Sequence, residues 1–568
     1  MLAYERIKSK QGNMTPGTDG QTIDGMTISR IGKIIESLKN ESYSPKPAKR
    51  VYIPKKNGKK RPLGIPTIDD KLVQEVARMI LEAIYEGHFE STSHGFRPFK
   101  SCHTALVCIK KTFTGVKWFI EGDIKGFFDN IDHATLIDIL RLRIADERFL
   151  RLIWKFLKAG YIEEWHFNNT YSGTPQGGIV SPILANIYLD QFDKYMKEYA
   201  GKFNKGKSRK ICNDYMNLNM RTVNRRKKRK ATTDPVEAAR LDAEIKQMQK
   251  QLRSIPVRDE MDDNYRRLQY VRYADDFLIG VIGSKADCEK IKQDVTDYMR
   301  DSLKLELSAE KTLITHASEE AKFLGYRITV RSLDVMKRNC KGILSRTFKG
   351  KVQLLLSSET VKDKLQSYGE IKFAEENGKT VWRPQSRETL IGMESQRILA
   401  KYNLEIRGFY NYYSIADNVS ATCSKFGYIM QYSLYKTLGQ KLNCSMASVV
   451  RKYKKNGEFK IEYLDNKGNL KYRALYNGGF SQKQPNKMAD CDMLPQSKLP
   501  KPSLAERLRN EVCELCGSHG KLIMHHVRTI KSVNGNTAWS KKMLGMNRKT
   551  LAVCEKCYAK IKSNGKKK

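Results

Sequence analysis

The tetrapeptide Tyr273-Ala274-Asp275-Asp276, set between apolar runs over residues 271–282, constrains this chain more than any other feature. The β-prone residues on both sides predict a hairpin, so the turn carries two adjacent carboxylates. A second run, Trp118-Phe119-Ile120-Glu121-Gly122-Asp123-Ile124, reads as a buried strand that delivers a further carboxylate, Asp123. An Asp-Asp pair alone is most often a solvated turn. Three aspartates from two strand segments are another matter, because hard cations such as Mg²⁺ prefer carboxylate and phosphate oxygens. Two such ions about 3.5–4 Å apart activate an attacking hydroxyl and stabilise the leaving oxygen of an in-line phosphoryl displacement.

At 568 residues the chain can divide into several domains with large cores. Lys and Arg number 104 against 62 Asp and Glu, a formal charge of +42 that calls for a polyanionic partner such as nucleic acid. No apolar run approaches the ~20 residues needed to span a bilayer, and no secretory signal opens the sequence. A soluble, intracellular protein with no membrane partner is expected. Among the cysteines, Cys102, Cys108, Cys212, Cys288, Cys340, Cys423, Cys444 and Cys491 show no ligand spacing and read as reduced core or surface thiols.

Residues 8–24, containing Thr15-Pro16-Gly17-Thr18-Asp19-Gly20, are rich in turn formers and predict a loop. Ile28, Ile31, Ile35 and Leu38 then have helical spacing, basic strands follow over 51–66, and 71–84 reads as a helix started by Asp69-Asp70. Between 193 and 270 lies a segment containing Arg225-Arg226-Lys227-Lys228-Arg229-Lys230, either a solvated face or an RNA contact. Beyond it, Asp234, Pro235 and Glu237 resemble a capping box ahead of Ala238, Leu241, Ile245, Met248 and Leu252, which predicts a helix or helical pair. Residues 346–453 are basic with helical periodicity. Residues 454–501 are rich in Lys, Gly, Asn and Pro and read as a linker or weakly folded basic domain.

The blocks Tyr52-Ile53-Pro54-Lys55-Lys56-Asn57-Gly58-Lys59-Lys60-Arg61-Pro62-Leu63-Gly64-Ile65-Pro66, Ser93-His94-Gly95-Phe96-Arg97-Pro98, Gly122-Asp123-Ile124-Lys125-Gly126-Phe127-Phe128-Asp129-Asn130-Ile131, Gly173-Thr174-Pro175-Gln176-Gly177-Gly178, Tyr273-Ala274-Asp275-Asp276 and Phe323-Leu324-Gly325-Tyr326 occur in this order. Together they closely resemble a group II intron reverse transcriptase, the maturase encoded within a mobile self-splicing intron, on its mitochondrial-like, group IIA branch. The resemblance implies an α+β multidomain chain built as a right-hand polymerase. Fingers would span 1–110, the palm 111–340 with a basic insertion at about 194–268, and a helical thumb with the maturase region (domain X) 341–453. A DNA-binding segment over 454–505 and an HNH-like module over 506–568 would follow.

The same resemblance implies roles. Asp123, Asp275 and Asp276 would coordinate two Mg²⁺, with the Ile124 carbonyl as a further ligand, and Lys55 and Arg61 would meet the nucleotide triphosphate. Phe128, five residues after Asp123, would lie beneath the incoming sugar and reject a ribose 2′-hydroxyl, with Phe127 the alternative occupant. Gln176 and Gly177 would border the nucleotide, and Lys311 would lie near the primer. Arg407, Asn411 and Tyr412 would contact intron RNA, although Tyr412 and Tyr413 also have the character of helix-packing aromatics. The implied partners are the parent intron RNA, target DNA, RNA template with primer, and dNTPs. A bacterial cytoplasm or nucleoid is expected in preference to an organelle.

Cys513-Glu514-Leu515-Cys516 and Cys554-Glu555-Lys556-Cys557 can each clamp one side of a tetrahedral Zn²⁺, and four thiolates make the structural type of shell. A chain end this short, basic and poor in apolar residues is expected to need the ion to fold. Between the pairs, Met524-His525-His526-Val527 resembles the opening strand of an HNH (ββα-metal) endonuclease. In that family one paired histidine ligates a catalytic divalent ion and the other is the general base. The middle residue stays open among Asn534, Asn536 and Asn547. The family follows its second cysteine pair with His and another His one helical turn later, whereas here Tyr558 and Lys562 fill that stretch and no histidine follows His526. Zinc and DNA binding with little or no cleavage is expected.

Two other readings compete. A splicing factor with a dead polymerase is disfavoured by the complete acidic triad, and a defence-type or diversity-generating reverse transcriptase by the resemblance to domain X and the HNH-like tail. Relatives usually carry several tens of residues ahead of the block that starts here near Ala3, a segment that helps grip RNA.

Overall fold

The computed structural model describes the chain except residues 9, 11, 55–57, 59, 164–165, 169–171, 174–176, 260–261, 332–335, 339–341, 343, 347–349, 377–378, 465–467, 485–503 and 566–568. Its central sheet has four antiparallel strands in the order Arg267–Tyr273, Asp276–Ile282, Trp118–Asp123, Leu313–His316. Side chains alternate between two cores, as the strand period requires. Phe119 and Leu278 enter one, while Ile120, Phe277 and Ile279 enter the other.

The second core is covered by the helices Ile68–Tyr85, His133–Arg141, Ser181–Phe203 and Lys285–Leu303. Local sequence sets where they begin. Thr67, Asp132 and Ser284 each accept a backbone N–H from the first turn, and Ser284 completes a capping box with Asp287. The first core runs unbroken from the sheet into the helices Ser395–Tyr413 and Val419–Lys441. Sheet and C-terminal helices therefore share packing through Tyr326, Tyr410 and Tyr413.

Two stretches depart from the sequence expectation. The region expected to be helical contains an antiparallel hairpin, Ile371–Glu376 with Lys379–Pro384. The stretch read as a linker contains the paired strands Lys454–Lys455, Glu458–Leu464 and Leu470–Ala474. Phe459 and Ile461 pack into the first core from there. In both cases the alternating pattern covers only a few residues within a strongly polar composition, so packing against the helices, not propensity, decides the outcome.

The insertion is a helical pair, Asn213–Ala231 and Pro235–Ser254. Asp234 caps the second through the Val236 N–H, and Ala238, Leu241 and Ile245 are its buried stripe. A third core joins the two ends of the chain. Tyr4, Ile7, Ile23 and Met26 pack with Leu522, Met524, Met543 and Leu551. Among the described residues no helix is long and apolar enough to cross a membrane.

Candidate active site

Strand register places the triad. Asp123 sits directly across from Asp276, and the hairpin reverses through Ala274 and Asp275. Ala274 is held at φ 56°, a left-handed conformation that costs a residue with a Cβ about 1–2 kcal/mol. Its neighbours enforce it. A Cβ at Gly95 would fall 2.3 Å from the Ala274 nitrogen, so only glycine lets the Ser93–Arg97 segment lie against the turn.

Arg272 is the main support, and its fully buried guanidinium spends every donor. Nε and Nη2 donate to the Asp193 carboxylate at 2.8 and 2.5 Å, and Nη2 also to Ser93 Oγ at 2.8 Å. Nη1 donates to Asn186 Oδ1 at 3.3 Å and to the Ala274 carbonyl at 2.9 Å. Sequence reasoning missed Arg272, Asp193 and Asn186. The available signal was an arginine inside the apolar, β-prone stretch that leads into the acidic turn, Tyr270-Val271-Arg272-Tyr273, since a charge in that position is rarely buried without a partner.

The three carboxylates repel one another. Burial, followed by the charges of Asp275 and Asp123, pushes the Asp276 carboxyl up to about 7. Burial also raises Asp275, opposed by Arg61 and Lys311. Lys311 Nζ donates to Asp123 Oδ2 at 2.7 Å, and that bond raises the lysine in turn. Asp276 thus keeps a proton in the folded state over a range where the unfolded chain has lost it. The sign follows: stability of the metal-free protein falls as pH rises from about 4 toward about 7. Divalent ions bind the ionised form, so the Mg²⁺ concentration giving half-maximal primer extension is expected to fall from about pH 6 to about pH 8. Magnesium titrations at several pH values check this; a pH-independent midpoint would refute the assignment of Asp276 to the metal-binding group.

Around the triad, Phe127 is buried in the palm core while Phe128 is only partly covered. Gly177, at φ 114°, presses against the hairpin strand that bears Arg61, a Cβ there falling 2.5 Å from the Gly64 oxygen. Ile124 bridges to Leu307, with the bonds carried on either side by Lys125 N–H to Glu306 and Ser308 N–H to Asp123. Lys55 and Gln176 lie outside the described residues.

At the C-terminus, Cys513, Cys516, Cys554 and Cys557 bring their sulfurs within 4.8 Å of one another, the arrangement a tetrahedral zinc shell requires. Hydrogen bonds from Ser518 lower the Cys516 thiol to about 6, which favours the thiolate a metal needs. His525 and His526 lie on the adjoining strand Leu522–His526, paired with Thr550–Cys554.

Known proteins match along the chain. A Reverse transcriptase (RNA-dependent DNA polymerase) family covers residues 53–227 and 244–328, a Type II intron maturase family 358–488, and an AI2M/AI1M-like, HNH endonuclease family 513–558. The Group II intron-encoded protein LtrA of Lactococcus lactis subsp. cremoris is 42% identical over 99% of this chain and 93% of its own length. The chain belongs to the group II intron-encoded proteins. In yeasts, the Putative COX1/OXI3 intron 1 protein of Saccharomyces cerevisiae is 34% identical over 99% of this chain and 68% of its own. The Uncharacterized 91 kDa protein in cob intron of Schizosaccharomyces pombe is 35% identical over the same shares.

This intron-encoded protein is accordingly an RNA-directed DNA polymerase joined to an intron maturase, with an HNH-like domain at its end. Among the residues expected to touch RNA, Arg407 and Asn411 are exposed on the helix Ser395–Tyr413. Tyr412 is engaged elsewhere: its hydroxyl donates to the Leu324 carbonyl at 2.8 Å, and its ring packs by Tyr326, Tyr413 and His103. On the insertion, Arg225 and Arg229 pair with Glu244 and Asp242 of the partner helix at 2.9 Å each. Arg226, Lys227, Lys228 and Lys230 face solvent.

Proposed function

We propose that the protein copies its parent group II intron RNA into DNA at the palm turn, while separate basic faces hold the folded intron for splicing and engage target DNA. The observation that carries this is a half-buried cluster of mutually repelling carboxylates, Asp123, Asp275 and Asp276, flanked by Lys311 and the charge of Arg61. Such a donor set fits hard divalent ions. Asp123, Asp275 and Asp276, with the Ile124 carbonyl, would hold two Mg²⁺, which activate the primer hydroxyl and stabilise the leaving oxygen when bound. Arg61, with Lys55, draws in the dNTP triphosphate, and Lys311 offsets the charge of Asp123 beside the primer end. Gly177, pressed against the strand that bears Arg61, borders the nucleotide site.

Splicing chemistry belongs to the RNA, so the maturase role is binding. Arg407, Asn411 and the solvent-facing cations of the insertion supply phosphate contacts. The C-terminal module holds one structural Zn²⁺ on its four cysteines and binds target DNA without cutting it.

The test is extension of a DNA primer on an RNA template with Mg²⁺, run beside splicing of the parent intron at low Mg²⁺ with and without protein. Extension alone, with no effect on splicing, would remove the maturase half of the proposal; the reverse result would remove the polymerase half.

Sugar selection separates the two phenylalanines. Phe127 is 2% exposed and belongs to the core while Phe128 is only partly covered, which supports Phe128 as the ring that meets the sugar. Phe128→Ala is expected to raise the efficiency of rNTP relative to dNTP incorporation by about 10-fold or more, on the scale of a lost steric clash. Phe127→Ala should mainly destabilise, by about 3–5 kcal/mol. Relaxed sugar selection from the Phe127 change alone would place the gate one residue earlier.

A further inference from the structure

We propose that the HNH-like pocket is a binding site for the chain's own N-terminal block, clasped shut by an ion pair between Asp24 and Lys562. The proposal rests on the reading that this module does not cleave DNA, and extends it by saying what the pocket does instead.

Strand alternation sends the side chains of His525 and His526 to opposite faces. Each meets a residue from the other end of the chain. His525 is 6% exposed, and its Nδ1 lies 3.2 Å from Asp24 Oδ1, with Trp539 edge-on at 5.3 Å and the Tyr558 ring at 6.2 Å. The same Asp24 oxygen accepts the His526 N–H at 2.9 Å, and its partner oxygen accepts Lys562 Nζ at 2.5 Å. Burial pushes the Asp24 carboxyl up, yet these donors from His525, Lys562 and the His526 backbone hold it well below the usual carboxylate range. It is an anion with a fixed cationic partner.

The two positions where the nuclease family carries its remaining histidines are Tyr558 and Lys562. Here they instead meet the segment Asp24-Gly25. Gly25, at φ 86°, approaches so closely that a Cβ would sit 2.8 Å from the Tyr558 hydroxyl. On the other face, His526 is 4% exposed, and its Nε2 lies 2.7 Å from the Tyr4 hydroxyl. Burial lowers the His526 imidazole to about 3, so it stays neutral, and its Nε2 faces the Tyr4 hydroxyl instead of open solvent.

Backbone and apolar contacts complete the joint. Gly25 N–H donates to Met524, and Met524 N–H donates to Met26, both at 3.0 Å. Tyr4, Ile7, Ile23 and Met26 fill the module's apolar face. The N-terminal block is anchored in turn on the fingers helix Ile68–Tyr85, where Lys71 Nζ donates to the Thr15 carbonyl at 2.9 Å and to that of Gly12 at 3.3 Å. Thus the zinc-binding module braces the fingers through this pocket.

The test uses the full chain and hydrogen exchange of the Gly25, Met524 and His526 amides. Asp24→Asn keeps an acceptor for the His526 N–H but loses the ion pair; Lys562→Met loses the same pair from the other side. Each is expected to speed exchange at all three amides by about 10-fold, and D24N/K562M should be no faster than either single change, because one interaction is removed in every case. Cys516→Ser/Cys554→Ser should also expose the Gly25 amide, far away in sequence. Tyr4→Phe, which alters no charge and little volume, gives a milder loosening that serves if the Asp24 variant does not fold. Unchanged exchange at Gly25 in these variants, or effects that simply add in the double mutant, would overturn the clasp. Nicking of target DNA is scored in parallel. Cleavage by the unmodified protein sinks both the non-cleaving reading and the clasp, since the paired histidines would have to be open to water and metal; absent coupling without nicking sinks the clasp alone.

Discussion

Replacing Asp275 and Asp276 together with Ala is expected to cut primer extension on an RNA template by well over ~10²-fold, the scale for removing a principal electrostatic stabiliser. The two side chains differ in setting but act together. Asp276 lies across from Asp123 in the sheet, and its carboxyl is pushed up to about 7 by burial and its two acidic neighbours, so any ion it binds relieves a repulsion already built into the turn. Removing two of the three carboxylates leaves Asp123 with Lys311 as its partner, a neutral pair that has no need of a divalent ion. Intron binding and splicing assistance should survive, because the exposed cations Arg407, Arg226, Lys227 and Lys228 lie on other elements. Near-normal extension by the double variant would overturn the active-site assignment. Joint loss of extension and splicing in a folded protein would mean that one surface serves both.

Much of this was legible from residue order. Continuous apolar, β-prone runs located the strands that carry the triad, because both faces of that sheet pack against apolar cores. Metal-ligand spacing located the cysteine cluster, since two pairs three residues apart suffice to define it. What could not be read was pairing between distant segments. Nothing in Asp24 or Tyr4 announces that they meet His525 and His526 from the opposite chain end. Nor does the polar composition around Phe459 and Ile461 announce a strand, since their burial depends on helices formed elsewhere. Tyr412 illustrates the opposite case: its aromatic character fitted either an RNA contact or packing, and its hydroxyl bond to Leu324 with its ring contacts to Tyr326, Tyr413 and His103 favours packing.

Asp193→Ala should destabilise the palm by about 3–5 kcal/mol, because it strands the Arg272 guanidinium in a fully buried site. Burial alone would disfavour that cation, and it is Asp193 that raises Arg272 and keeps it charged. The loss should also reach catalysis, since Arg272 holds the Ala274 carbonyl of the acidic turn in an otherwise unfavourable left-handed conformation. Thermal unfolding of the palm is expected to move down by on the order of 10 °C, from the usual few degrees per kcal/mol for a domain of this kind. Stability and positioning can then be separated. Asp193→Leu with Arg272→Met replaces the ion pair by apolar groups and is expected to recover most of the stability, as such exchanges often do. Extension should remain impaired in that double variant, because no donor is left for the Ala274 carbonyl. Wild-type melting by Asp193→Ala would show that the buried pair is not what secures the turn, and full extension by the apolar pair would show that Ala274 holds its conformation without Arg272.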